Sequence, residues 1–123
     1  MKPLTVVVAQ RDPQSAEALA ASLQSHFKAV HVAHDFAEAC QSVPKHRADL
    51  LVIDLELASL PEVERLRREM PATAVVCTHR LADEALWAKA LAVGAVDCCH
   101  TSDIRSIVLA ADREHLMART TAA

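Results

Sequence analysis

Five short apolar runs, each followed by a segment whose apolar residues recur at helical spacing, constrain this chain more than any other feature. Leu4-Thr5-Val6-Val7-Val8-Ala9 is rich in β-branched residues and continuous, the pattern of a strand buried on both faces. Asp12-Pro13 then opens a helix, because Asp accepts from the free N–H groups of the first turn and Pro presets φ. Ala16, Leu19, Ala20, Leu23 and Phe27 follow at a spacing that predicts one helix face. Ala29 to Ala33 reads as a second strand. Asp35 and Glu38, at capping-box spacing, start a second helix through about Val43, which Pro44 helps to end.

The second half repeats the scheme. Leu50 to Ile53 is a third strand, stopping at Asp54. Ser59 and Glu62 form another capping-box pair, and Val63, Leu66, Arg67 and Met70 carry a third helix towards Pro71. Ala74 to Cys77 is a fourth strand. Asp83 starts a fourth helix bearing Leu86, Trp87, Ala90 and Val93, closed by Gly94, the only glycine, where positive φ is expected. Val96 to Cys99 is a brief fifth strand, and Thr101-Ser102-Asp103 caps a last helix carrying Ile104, Ile107, Val108 and Ala111 as far as Leu116.

Such alternation predicts an α/β domain over residues 1–123: a doubly wound parallel sheet of five strands with five helices on its two faces. Chemistry in that architecture gathers at the carboxyl ends of the strands. The residues there are Gln10, Arg11, Asp12, Asp54 to Leu57, Thr78, His79 and Cys98 to Thr101.

Composition narrows the function classes. Apolar residues at 52% and charged residues at 24% are a globular balance, and a net charge of −3 without a Lys/Arg run argues against direct nucleic-acid contact. No apolar run approaches the roughly 20 residues of a membrane span, and the N-terminus lacks a secretory pattern, so a cytoplasmic protein is expected. Cys40, Cys77, Cys98 and Cys99 have no CxxC spacing and read as reduced thiols. No nucleophile–base pair, Gly-rich phosphate loop or paired carboxylates can be assembled, which predicts a non-enzyme without a cofactor.

Three segments carry a family resemblance. "RADLLVIDLEL", "ALAVGAVDCC" and "VVVAQRDP" together resemble the response-regulator receiver family, of the chemotaxis-receiver type. The resemblance implies a flavodoxin-like fold with strand order 2-1-3-4-5. It also implies a role in two-component signalling or phosphorelay. Carried over position by position, Asp54 matches the phosphoacceptor. Gln10 and Arg11 fall where the family has its metal-binding acidic pair, and Asp12 matches the third acidic residue. Thr101 stands at the phosphate-pairing Lys, Ser102 at the usual Pro, and Cys98 at the switch aromatic. Thr78 by residue type, or His79 by distance to Gly94, matches the family's Ser/Thr.

These departures imply a pseudo-receiver, without ordinary Mg-dependent phosphorylation. Replacing the acidic pair by Gln and Arg changes the local charge from about −2 to +1, and each unit pair at ~4 Å is worth roughly 4 kcal/mol at an effective dielectric of 20. Arg11 either pairs with Asp54 or points into solvent; the sequence leaves both open. Two other readings are a receiver still phosphorylated on Asp54, and a metal or redox sensor built on Cys77, His79, Cys98, Cys99 and His100. Adjacent Cys98 and Cys99 must face opposite sides of a strand, which weighs against the last, and no metal site is assigned. Leu86 and Trp87 read as core or helix-face residues, and Glu64 to Glu69 as a solvated face with close charge pairs. The resemblance places protein contacts or dimerisation on the fourth helix, fifth strand and fifth helix, here Leu86 to Val93 and Ile104 to Leu116.

Overall fold

The computed structural model describes the backbone of residues 2–122 and the side chains of residues 2–114. Its elements in chain order are β1 (Lys2–Ala9), α1 (Pro13–Gln24), β2 (Phe27–Ala33), α2 (Phe36–His46) and β3 (Leu50–Asp54). They continue with α3 (Leu60–Glu69), β4 (Ala74–Thr78), α4 (Glu84–Ala92), β5 (Asp97–Cys99) and α5 (Ile104–Ala122). The strands form one parallel sheet in the order β2-β1-β3-β4-β5, as expected.

Two apolar layers explain why the strand sequences are apolar without alternation. Val7, Ala9, Leu51, Ile53, Val75, Cys77 and Cys98 pack against Ala39 and Val43 of α2, Val63 and Leu66 of α3, and Ala90 of α4. The intervening Val6, Val8, Leu50, Val52, Val76 and Cys99 pack against Leu19 and Leu23 of α1 and against Ile107, Ala110 and Ala111 of α5. Successive strand residues thus enter different cores, and both must be apolar.

The caps behave as local chemistry requires. Asp12, Asp35, Ser59 and Asp83 accept from the backbone N–H three residues on, and Ser59 with Glu62 completes a reciprocal capping box. Gly94, after α4, has φ 102°. A Cβ there would also lie 3.3 Å from Arg67 Cγ, so both backbone conformation and space favour glycine.

Four details differ from expectation. Phe27 opens β2 rather than closing α1. It packs in the same layer as Leu19 and Leu23, so the periodic signal was real but spans two elements. Pro44 lies inside α2, which runs on to His46 and stops at Arg47 in the left-handed region. A proline in the last turn costs the helix a single hydrogen bond, which is tolerable so near its end. Arg67 is no solvated residue: its Nε donates to Gly94 O (3.0 Å), and its Nη1 donates to Thr73 O (2.8 Å) and Pro71 O (3.3 Å). Finally, α5 continues past Leu116, whose side chain lies outside the described residues. Among the described residues no helix is long and apolar enough to cross a membrane.

Candidate functional site

The parallel register brings the carboxyl ends of the central strands together, with Asp54 opposite Thr78 and Thr78 opposite Cys99. Asp54 is the last residue of β3 and only 6% exposed. Its Oδ2 accepts from Thr78 Oγ1 (3.0 Å) and Thr101 Oγ1 (3.2 Å), and its Oδ1 accepts from the Glu56 backbone N–H (2.8 Å). Thr78 is fully buried, and its Oγ1 accepts from Gln10 Nε2 at 3.4 Å. A directional chain therefore runs from the Gln10 amide through the Thr78 hydroxyl to the Asp54 carboxylate, and Thr101 closes it from the other side. Three neutral donors satisfy a carboxylate that burial would otherwise penalise heavily.

Thr78 reaches Asp54, whereas His79 lies in the following turn. There its Nδ1 accepts from the Leu81 N–H (3.0 Å), and its Nε2 lies 3.9 Å from Glu56 Oε1.

Arg11 does not hold Asp54. It is exposed, and among the described residues no ion pair joins it to that carboxylate. Gln10 takes the inward position at the end of β1 at 3% exposure. A hydrated guanidinium gains little from a buried acid already satisfied by other donors. Asp12 is committed to capping α1: its Oδ2 accepts from Ser15 Oγ (2.7 Å) and the Ser15 N–H (3.3 Å). The Ser15 hydroxyl, ahead of the backbone N–H groups, holds this carboxyl below its usual range.

These residues line an open cleft of about 710 Å³, together with Arg80, His100 and Ser102. Arg80 was not singled out from the sequence. It sits in the β4–α4 turn with Nε 2.7 Å from Glu56 Oε1, and no local motif announces that partner. Asp54 itself has no cation within ion-pairing distance among the described residues.

The Cys/His positions do not converge. Cys77 and Cys98 lie in one apolar layer and Cys99 in the other. Burial pushes the thiols of Cys77 and Cys99 up to about 12 and that of Cys98 to about 11. His100 is exposed and shares its Nδ1 with Ser102. Among the described residues no group of three His, Cys, Asp or Glu side chains is placed to hold a metal ion.

No family model and no curated protein sequence matches the chain. Solved structures do. A Francisella response-regulator receiver domain is 21% identical with a TM-score of 0.78, over 95% of this chain and 98% of that one. A signal receiver domain from Vibrio parahaemolyticus is 14% identical with a TM-score of 0.81, over 96% and 97%. The chain has the receiver fold. A Burkholderia pseudomallei response regulator, solved with a phosphorylated aspartic acid and a calcium ion, matches at 21% identity and TM-score 0.76, over 95% of this chain and 72% of that one. Within that fold the site described here is a carboxylate bound by hydroxyls and an amide hydrogen at the end of the third strand.

Proposed function

We propose that this chain is a pseudo-receiver of the response-regulator family: a signalling module that acts through protein contacts, without ordinary Mg-dependent phosphorylation of Asp54. The observation that carries the reading is the state of the Asp54 carboxylate, whose two oxygens are taken by the Thr78 and Thr101 hydroxyls and the Glu56 N–H.

A hard divalent cation needs several oxygen ligands in a near-octahedral set, with carboxylates carrying most of the charge. The residues present do not fit one. Gln10 turns its amide nitrogen towards Thr78, Arg11 brings a positive charge to the rim, and Asp12 is engaged with Ser15. Opposite Asp54, the Thr101 hydroxyl offers a hydrogen bond but no charge to balance a phosphoryl group. In this reading, contacts run through α4, β5 and α5, from Leu86 to Val93 and from Ile104 to Leu116, in a cytoplasmic protein.

The second reading, a receiver still phosphorylated on Asp54, draws support from its place on the wall of the open cleft. Titration with Mg²⁺ followed by backbone amide shifts separates the two. The pseudo-receiver reading predicts no saturable response around Asp54, Gln10 and Asp12 at low millimolar metal. A local saturable response would contradict it.

A further inference from the structure

The large apolar side chains that stay exposed among the described residues are Leu81, Trp87 and Leu109, at 71%, 44% and 50%. Leu81 lies in the β4–α4 turn, Trp87 on α4 and Leu109 on α5.

Trp87 borders a groove of about 520 Å³ between α4 and α5, over the end of β5. Its Nε1 donates to Asp97 Oδ1 (3.1 Å), which fixes the indole while leaving much of its surface open. Among the described residues, the charged ones lining this groove besides His100 are Asp83, Glu84, Asp97 and Asp103, with no Lys or Arg. Asp97 Oδ1 is taken by Trp87 and the Cys98 N–H, whereas among the described residues its Oδ2 has only Arg113, at 3.7 Å.

We propose that this groove docks a basic, amphipathic segment of a partner protein, one Arg or Lys stacking on Trp87 while its neighbours meet the surrounding carboxylates. An indole face is the best aromatic surface for a cation, and carboxylates beside it add charge and hydrogen bonds of the same preference. Ala82, which also lines the groove, supplies apolar contact beside that centre. Trp, Tyr and Arg are the residue types most enriched among those that carry the binding energy of an interface. The inference rests on the reading of the domain as an interaction module and adds the chemistry of the partner.

Trp87 is the only Trp in a chain without Tyr, so intrinsic fluorescence reports this groove alone. The probes are two synthetic helical peptides with the same Leu face, one flanked by Arg and the other by Glu. The Arg peptide is expected to change Trp87 emission saturably, and high salt should weaken the effect. Glu84→Lys, an exposed reversal in the first turn of α4, should weaken binding about tenfold, from two or three screened charge contacts. No saturable change, or equal binding to the Glu84→Lys protein, overturns the proposal. Preferential binding of the Glu peptide overturns the basic partner while leaving an interaction module standing. A dimer in sedimentation that Glu84→Lys disperses would assign the groove to a second copy instead, and would also overturn it.

Discussion

Thr78→Val removes one hydroxyl at nearly constant volume from the centre of the site. Thr78 is fully buried, and its Oγ1 stands between Gln10 Nε2 at 3.4 Å and Asp54 Oδ2 at 3.0 Å. A hydrogen bond to a charged group contributes about 1.5–3 kcal/mol net, and an acceptor lost to a buried amide adds up to about 1 kcal/mol when, as here, that bond is long. The expected loss is therefore about 2–3 kcal/mol, a large share of the ~5–15 kcal/mol that holds a domain folded. The single mutant does not isolate the bond, but a double-mutant cycle with Asp54→Ala does. Urea unfolding of the four proteins should give a Thr78–Asp54 coupling of about 2 kcal/mol. The same cycle with Arg11→Ala should give a coupling indistinguishable from zero, because the guanidinium is exposed and away from Asp54. A clear Arg11–Asp54 coupling, with none for Thr78, would refute the assignment of Asp54 to its hydroxyl partners.

Other outcomes follow from the same contacts. Arg67→Met should lower stability by about 1–2 kcal/mol in a denaturant titration, since three carbonyls from two segments lose their donor while the aliphatic stem is kept. Gly94→Ala should cost about 1–2 kcal/mol in the same assay, through strain at φ 102° and pressure on Arg67 Cγ. With an aromatic disulfide reagent at mildly alkaline pH, at most Cys40 of the four thiols should react in the folded protein, while all four react in denaturant, because burial raises the other three to about 11 or 12. His31 stacks on His46 at 3.6 Å, and burial, then His46 and Lys45, lowers its pKa. A histidine depressed in the folded state contributes stability that is present above its unfolded value of 6.5 and lost as pH falls through the folded one. His31→Gln should therefore flatten the decline in unfolding midpoint below pH 6.5.

The parts of this protein that were legible in the sequence are those whose causes are local. Ser59 with Glu62 makes a capping box within four residues, and Gly94 answers to its own φ, so both could be read without knowing what lies across the fold. Five unalternated apolar runs implied a sheet covered on both faces, because each strand residue meets one layer or the other. Phe27 was assigned to the wrong element because helix and strand place it in the same layer, where periodicity alone cannot tell them apart. The site was legible as a set of positions but not as a set of bonds. Asp54, Gln10, Thr78 and Thr101 were all singled out, yet the contact of Thr78, not His79, with Asp54 depends on the register between β3 and β4. The fate of Arg11 depended on whether Asp54 had other partners, which lie 2, 24 and 47 residues away along the chain. Arg67 was misread for a similar reason, since the carbonyls it binds include Gly94 O, 27 residues downstream.

A structural Asp54, held by the Thr78 and Thr101 hydroxyls and the Glu56 N–H, should not accept phosphate as an ordinary receiver aspartate does. Intact-mass analysis of the folded protein after incubation with a small phosphodonor and Mg²⁺ tests it most directly. The native chain should show no gain in mass, and Asp54→Asn treated in parallel should likewise show none. A quantitative gain of one phosphoryl group that Asp54→Asn abolishes would contradict it.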